Sequence, residues 1–212
     1  MILEAKGITH NFNGRKVILK NQSLYVENNQ YVCIVGKSGC GKSTLLNIVA
    51  GMLAPTTGAV YLDKVDMYKS LKESKRTTFR NSKIGYLNYG NCLLENLNVF
   101  DNIVYPVLLK KALCDKNEIL NLLEKLDILG IKNLYPGQIS AGEYRRVCFA
   151  RILALNTEIL VLDEPTSNLD EKSAYIIWKI ISELQSSKGI IVATHDKMLM
   201  TGNIIELESV FF

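Results

Sequence analysis

The segment GKSGCGKST, from Gly36 to Thr44, constrains the fold of this chain more than any other stretch. It matches the pattern G-x-x-x-x-G-K-[S/T], follows the almost wholly apolar QYVCIVG, and precedes STLLNIVAGML, in which the apolar residues have helical spacing. A buried strand is thus joined to a helix by a loop whose glycines let successive N–H groups converge. With the positive end of the helix, these N–H groups predict a binding site for the phosphates of a nucleotide.

Two side chains at the end of this loop have predicted roles of their own. Lys42 is placed to contact the β- and γ-phosphates as a point charge, and Ser43 is placed to offer its hydroxyl to Mg²⁺. A glycine-rich turn with a chance lysine is disfavoured, because the whole pattern matches and its flanking strand and helix are both present. The other predicted nucleotide contacts in the loop are Gly36, Lys37, Ser38, Gly39, Cys40, Gly41 and Thr44.

The composition is that of a globular protein and excludes several classes. The 212 residues suffice for one large domain, or for a domain with an insert. No apolar run is long enough to cross a bilayer and the first residues lack a signal-peptide pattern, so we expect a soluble, cytoplasmic chain that serves a membrane only through a partner. The net charge of +4 is too small to indicate a nucleic-acid partner.

The five cysteines are odd in number and form no C-x-x-C pair, which is typical of reduced thiols. With only two histidines in the chain, their spacing also disfavours a zinc site. Cys40, inside the loop, has two interpretations that the sequence leaves open. It is either a small, tolerated residue or a thiol beside bound phosphate that alkylating reagents reach.

The order of the apolar patterns predicts an α/β fold. Short β-branched and aromatic runs fill the first third, and the last third alternates strand and helix patterns, which is typical of a parallel sheet covered by helices. Between them, from about residue 98 to 155, the pattern is helical. Within ILNLLEKLDILG, Gly130 is the predicted end of a helix, and Asp115 or Asn117 is its predicted cap.

A second polar motif follows another apolar run, in ILVLDEPTSNLD. Asp163 and Glu164 come at the carboxyl end of a predicted strand, where ligands bind in such sheets. Asp163 is placed to hold Mg²⁺ through water, and Glu164 to accept a proton from water that attacks the γ-phosphate. A solvated strand end is the alternative, and the upstream phosphate loop disfavours it. His195 ends the apolar run IIVATH. It is either a structural or solvent-facing histidine, or a hydrogen-bond partner of the γ-phosphate that senses its loss.

The segment ISAGEYRR, Ile139 to Arg146, combines a hydroxyl with two nearly bare backbone positions ahead of an apolar run. This composition suits an anion at a helix start, although the chain already has a phosphate loop.

Together the motifs resemble those of the nucleotide-binding subunit of ABC transporters, over essentially the whole chain. GKSGCGKST resembles Walker A, ILVLDE resembles Walker B with its glutamate, SNLD the D-loop, THD the switch histidine, and ISAGEYRR the signature LSGGQ or LSGGE.

The resemblance implies a P-loop NTPase core, with a mostly parallel sheet and helices, plus an N-terminal antiparallel β part and an inserted α-helical subdomain. We expect one ABC ATPase domain over 1–212, with its core at 1–89 and 156–212 and the helical subdomain at about 90–155. The cofactors implied are ATP and Mg²⁺. Lys42, Glu164 and His195 are the expected catalytic residues, and Ser43 and Asp163 the expected metal ligands.

The resemblance also resolves why one chain has two anion sites. In that family two cassettes dimerise head to tail, so that the signature of one closes over ATP held by the other. Ser140, Gly142 and Glu143 would then face a γ-phosphate of a second cassette, which is an identical chain or a paralogue. The alternative is a buried helix cap followed by a salt-bridging arginine pair. The other expected partner is an integral membrane permease, which implies a location at the inner face of the cell membrane.

A further implied contact is Phe12, in THNFNG, which stands where the family has an aromatic residue that stacks on adenine. A core position in a strand is the alternative for Phe12. The stretch NCLLENLNVFDNIVYPVLL resembles ATPases of the lipoprotein-release and macrolide- or peptide-exporter type.

Three departures from the family pattern bear on activity. Asn88 and Tyr89 stand where the family has Phe-Gln, and a phenol is a poor Mg²⁺ ligand. Ala141 replaces the first glycine of the signature, and Tyr144 and Arg145 replace glutamines that are common after it.

The leading hypothesis is an ATPase subunit that drives a membrane exporter or machine. The alternatives are an ATP-gated regulatory or scaffolding module with weak hydrolysis and, less favoured, a soluble kinase-like P-loop enzyme.

Overall fold

The computed structural model describes residues 1–12, 16–90, 92–110 and 114–208. The predicted helical subdomain therefore includes residues 91 and 111–113, which lie outside the described residues. The predicted core likewise includes residues 13–15 and 209–212, which lie outside them.

A five-stranded parallel sheet forms the centre of the molecule, in the order β6-β7-β8-β3-β9. Its three middle strands are apolar and buried along nearly their whole length, because helices or a second sheet cover both faces. This confirms the predicted parallel core. The strands are β3 (Tyr31–Val35), β6 (Ile84–Leu87), β7 (Ile159–Asp163), β8 (Gly189–Ala193) and β9 (Asn203–Glu206).

A four-stranded antiparallel sheet, in the order β2-β1-β4-β5, confirms the predicted N-terminal β part. In β1, buried positions alternate with more exposed ones over much of the strand, as expected for a sheet with one face on the core. The runs KVILKN and QSLYVEN, which the sequence suggests are separate strands, form the single strand β2. The strands are β1 (Ile2–Phe12), β2 (Lys16–Glu27), β4 (Thr57–Leu62) and β5 (Val65–Asp66).

Helices cover the parallel sheet, and three of them follow one another between β6 and β7. They are α1 (Lys42–Val49), α2 (Glu73–Lys83), α3 (Val99–Leu109), α4 (Lys116–Lys125), α5 (Ala141–Leu153) and α6 (Glu171–Leu184). The sequence did not predict α2, because Phe79 is its only large apolar residue and none of its residues is fully buried. Within the described ranges, no helix is long and apolar enough to cross a membrane.

The predicted end of α4 is wrong by several residues. Asp115 caps its start as predicted, since its carboxylate accepts from the N–H of Asn117 at 2.8 Å. The helix ends at Lys125, because Asp127 adopts a left-handed conformation with φ of +54°. Gly130 instead lies in a short 3₁₀ turn, Leu129–Ile131.

The central strands belong to two separate hydrophobic clusters at once. In β7, Ile159 and Val161 pack with the antiparallel sheet and α1, whereas Leu160 and Leu162 pack with α3 to α6. Neighbouring strands alternate in the same way, since successive side chains of a strand point to opposite faces. Burial from both sides fixes the carboxyl ends of β3, β7 and β8, and the polar motifs follow directly after these ends.

Candidate active site

A cavity of about 750 Å³ opens at the carboxyl edge of the parallel sheet. The loop after β3, the turn after β7 and the residues after β8 meet there, as the parallel arrangement requires. Ten residues predicted to belong to the site line it: Phe12, Ser38, Gly39, Gly41, Lys42, Ser43, Thr44, Asp163, Glu164 and His195. The lining residues that the predicted site set did not include are Ile18, Tyr89, Thr166, Ser167, Asn168 and Asp196.

The loop after β3 adopts the backbone that its glycines predict. Gly36, Gly39 and Gly41 have φ values of +148°, +78° and +103°, in the region that residues with a Cβ rarely adopt. At Gly41 a Cβ would also lie 2.8 Å from Leu19 Cδ2, so close packing against β2 reinforces the need for glycine. Gly41 precedes α1, which has neither a side-chain cap nor an acidic residue in its first turn. The first N–H groups of α1 are therefore suited to an external anion.

Lys42 is 8% exposed, and its ammonium group lies between the loop and His195. Its Nζ donates to the Gly36 carbonyl at 2.8 Å and lies 3.0 Å from Nε2 of His195. Because an ammonium group only donates, Nε2 accepts this hydrogen bond, which leaves Nδ1 as the protonated nitrogen. The lysine charge is thus held at the floor of the cavity and not in solvent.

Asp163, the last residue of β7, is 2% exposed, and its Oδ1 has no hydrogen-bond partner among the described residues. Burial raises the pKa of its carboxyl, while the nearby Ser43 hydroxyl, Arg145 and Lys42 oppose that rise. An unpaired buried carboxylate oxygen is costly unless a cation or donor reaches it. Ser43 and Asp163 together fit Mg²⁺, which prefers oxygen ligands and keeps several waters with only one or two protein ligands.

Glu164 follows β7 in a left-handed backbone conformation, with φ of +46°. Its N–H donates to the Ala193 carbonyl at 2.8 Å, which ties this turn to the end of β8. Its carboxylate accepts from the N–H of His195 at 3.3 Å and lies 3.6 Å from Nε2 of the same residue. Glu164, His195 and Lys42 therefore form one connected group at the cavity, which the sequence predicts only as separate residues.

Phe12 lies at the edge of the cavity and is 49% exposed, so it is not the core residue of the alternative interpretation. Its ring contacts His10 edge to face, with the ring centroids 4.7 Å apart. An exposed aromatic face held in this way is suited to stacking on a planar base. The adenine contact remains a prediction.

Three loop residues of the predicted site do not line the cavity. The Cys40 side chain is 2% exposed and points toward Gly36, where a Cβ would lie 2.7 Å from its sulfur. This supports the interpretation of Cys40 as a small, packed residue and argues against an accessible thiol. Gly36 and Lys37 also lie outside the lining, and they contribute backbone carbonyls to Lys42.

Ser140, Gly142 and Glu143 do not line this cavity either. Ser140 is exposed and caps α5 in a reciprocal pair: its Oγ accepts from the N–H of Glu143 at 3.3 Å, and its own N–H donates to Oε2 of Glu143 at 2.8 Å. The alternative of a buried cap with salt-bridging arginines is wrong for the described residues. The cap is exposed, and Arg145 and Arg146 are buried and donate to carbonyl or hydroxyl oxygens.

Tyr89 occupies the place where the family pattern has glutamine, and its side chain is largely exposed above the cavity. Its hydroxyl accepts from Nδ2 of Asn168, in the SNLD segment, at 3.1 Å. The phenol therefore bridges two loops across the cavity. No signal in the sequence predicts this pair, because the two residues are far apart in the chain.

The glycine loop, the buried lysine and the unpaired aspartate at one sheet edge define a nucleoside-triphosphate-binding protein of the P-loop class. The family model for ABC transporters matches residues 19–167, and the chain belongs to this family. It is an ABC-type ATPase cassette, as predicted.

Relatives and solved structures agree with this assignment. The lipoprotein-releasing system ATP-binding protein LolD of Buchnera aphidicola subsp. Acyrthosiphon pisum (strain APS) is 35% identical over 187 residues, which cover 86% of this chain and 82% of that protein. The dimeric structure of MJ0796, described as a bacterial ABC transporter cassette, superposes with a TM-score of 0.89 at 31% identity, covering 98% of this chain and 94% of that one. A dimeric post-hydrolysis state of MJ0796 with ADP and Pi gives a TM-score of 0.87, with the same identity and coverage.

Proposed function

We propose that this protein is the ATP-hydrolysing subunit of a membrane transport machine of the lipoprotein-release or exporter type. The observation that carries the proposal is the connected group formed by Lys42, Glu164 and His195 at the cavity edge. This group places a positive charge, a carboxylate and an imidazole around one point, as hydrolysis of a phosphoanhydride requires. The LolD relative, named for lipoprotein release, supports the choice of transport machine.

In this proposal ATP binds with its phosphates in the glycine loop and its adenine on Phe12. Lys42 contacts the β- and γ-phosphates, and the N–H groups of the loop and of the first turn of α1 surround them. Ser43 and Asp163 hold Mg²⁺, which neutralises phosphate charge when bound. Burial of Asp163 strengthens its preference for a cation over water.

Glu164 accepts the proton of the attacking water as the water oxygen bonds to the γ-phosphorus and the bond to ADP breaks. Its carboxylate is 18% exposed and is oriented by the N–H of His195. His195, already within 3.0 Å of the Lys42 ammonium, is placed to contact the γ-phosphate beside it. Loss of that phosphate then changes the hydrogen bonds of both residues.

We also propose that the cassette dimerises head to tail, with an identical chain or a paralogue. Ser140, Gly142 and Glu143 are the proposed contacts with the partner's γ-phosphate, since they lie at the exposed start of α5 and outside this chain's own cavity. The dimeric structures of MJ0796 support dimerisation of the cassette. The helical subdomain, at about 90–155, is proposed to pass the motion to an integral membrane permease at the inner face of the cell membrane.

The test compares steady-state ATP hydrolysis of the wild type and Glu164→Gln, with sedimentation velocity in ATP as a second measurement. Removing a positioned general base lowers the rate by about 10²–10⁴-fold. We expect the variant to lose hydrolysis and to form a stable dimer with trapped ATP. A variant that hydrolyses ATP at the wild-type rate would contradict the proposal. A variant that stays monomeric with ATP bound would exclude the identical chain as partner.

A second candidate is an ATP-gated regulatory or scaffolding module with weak hydrolysis, which the Tyr89–Asn168 hydrogen bond favours. This bond occupies the place where the family pattern has a glutamine near Mg²⁺ and the attacking water. A wild-type rate at background with intact ATP-dependent dimerisation would support the module. Tyr89→Gln should raise turnover if the missing amide limits it, and an unchanged rate would show that the account of Tyr89 is wrong.

A further inference from the structure

Arg145, on α5, is 8% exposed and donates hydrogen bonds to four backbone carbonyls. Its Nη2 reaches the carbonyls of Asp163 at 2.6 Å and Glu164 at 3.0 Å, and its Nε reaches that of Pro165 at 3.4 Å. Its Nη1 donates to the Asn88 carbonyl at 2.8 Å. Among the described residues no carboxylate pairs with this guanidinium.

These four hydrogen bonds satisfy a buried charge and also fix the backbone around Glu164. Three consecutive carbonyls, from Asp163 to Pro165, accept from one rigid, planar group, so their relative orientation is fixed. This segment includes Glu164, whose φ of +46° is a conformation that a non-glycine residue holds only when its surroundings impose it. Arg145 is the one side chain of α5 that donates to this turn.

The bond to Asn88 extends the same group to the neighbouring strand. Asn88 directly follows β6, which pairs with β7, and it precedes Tyr89 at the cavity. One guanidinium therefore joins the ends of two adjacent strands to α5. A glutamine, which the family pattern has at this position, offers a single amide nitrogen with two hydrogens and cannot make four such bonds.

We propose that Arg145 is a positioning residue for hydrolysis, which aligns the Glu164 carboxylate and couples that alignment to α5. This inference rests on the proposed function, because α5 begins next to Ser140, the proposed contact with the partner's nucleotide. The helix is continuous from Ala141 to Leu153, so a displacement at its start reaches the Glu164 main chain through the Arg145 hydrogen bonds. Nucleotide capture between two cassettes thereby sets the geometry of the base in the capturing chain.

The test measures kcat and KM for Mg-ATP with Arg145→Gln and Arg145→Lys. A small misplacement of a catalytic group costs up to about 100-fold in rate, so we expect kcat of the glutamine variant to fall by about 10- to 100-fold. KM should stay within about threefold, because Arg145 does not line the cavity. The lysine variant keeps the charge but lacks the planar guanidinium, so its kcat should lie between those of the wild type and the glutamine variant.

Arg151→Gln is the matched control, since Arg151 lies on the same helix and also donates to a carbonyl, that of Cys92, away from the Glu164 turn. We expect it to retain kcat. A Glu164→Gln/Arg145→Gln double variant adds a readout that a general structural role would not give. Its single-turnover rate, measured with enzyme in excess of ATP, should equal the residual rate of Glu164→Gln alone, about 10²–10⁴-fold below the wild type.

The outcomes distinguish the two proposals. If Glu164→Gln lowers the rate by roughly the expected 10²–10⁴-fold but Arg145→Gln keeps the wild-type kcat, the positioning role is overturned and the ATPase proposal stands. An additional loss in the double variant, or failure of both Arg145 variants to fold by thermal melting, shows that Arg145 is structural and also overturns the inference. If Glu164→Gln itself has no effect, the proposed function fails first.

Discussion

Gly41, at the end of the phosphate loop, offers a quantitative test of the site geometry. Its φ is +103°, and an added Cβ would lie 2.8 Å from Leu19 Cδ2 and 3.0 Å from Ile18 Cγ2. Gly39, two residues earlier, has φ of +78°, but an added Cβ there meets no atom of the described residues within 4 Å. Alanine at either position therefore has the same kind of backbone cost, and alanine at Gly41 has a packing cost in addition.

The magnitudes follow from these two terms. A left-handed backbone costs an L-residue about 1–2 kcal/mol, and forcing a methyl into a packed site costs about 1–3 kcal/mol more. We expect Gly39→Ala to lower the free energy of unfolding by about 1–2 kcal/mol and Gly41→Ala by about 2–5 kcal/mol. The loss of unfolded-state entropy on replacing glycine by alanine offsets both variants equally, so it cancels in the comparison.

The assay is urea unfolding without nucleotide, followed by fluorescence and extrapolated to water. In a chain of this length, a difference of 1 kcal/mol also corresponds to about 2–4 °C in Tm, so thermal melting gives an independent check. Equal destabilisation by the two substitutions would refute the argument, because it would mean that contact with β2 does not restrict the loop at Gly41.

Further predictions concern Asp163, Phe12 and the cysteines. Asp163→Asn should weaken Mg²⁺-dependent ATP binding by more than about tenfold, since it removes the buried anionic ligand. The same variant should be more stable than the wild type in EDTA at neutral pH. Burial raises the pKa of Asp163 in the folded protein above that in the unfolded chain. The wild type therefore loses stability as the pH rises from the unfolded pKa to the folded pKa. The stability difference between the variant and the wild type should vanish below the unfolded pKa. An Asn variant that melts at the wild-type temperature at every pH would contradict this account. Phe12→Ala should raise the KM for ATP by about tenfold or more, the value of one lost base stack, whereas Phe12→Tyr should not; equal KM values for all three proteins would rule out stacking on Phe12. A thiol reagent should label the partly buried Cys92 and Cys114 in the native protein, and the three buried cysteines only after unfolding. Mass spectrometry identifies the labelled residues. Rapid labelling of Cys40 in the native protein would show that the loop thiol is accessible.

The features that the sequence predicts well are those whose pattern is local. The glycine loop, the carboxylates after β7 and the histidine after β8 each follow a continuous apolar run. Their meeting at one edge then follows from parallel pairing alone. The cap at Asp115 is equally local, because a helix start depends on residues within one turn.

The features that the sequence does not predict depend on distant or weak patterns. The helix α2 contacts the core through a single large apolar residue, Phe79, so it has no repeating apolar pattern to detect. The carbonyl partners of Arg145 lie 18 to 57 residues away, so its substitution for glutamine is visible in the sequence while its role is not. Any role of Ser140 toward a second chain likewise depends on a surface that one chain does not contain.

The division of each central strand between two hydrophobic clusters has a genetic consequence. Val161 and Leu162 are neighbours in β7, yet one side chain packs toward the antiparallel sheet and α1 and the other toward α3 to α6. A heat-sensitive lesion at Val161 should therefore be suppressed by second-site changes in the first group of elements, and a lesion at Leu162 by changes in the second. The suppressors of the two neighbouring lesions would thus lie on opposite faces of the parallel sheet.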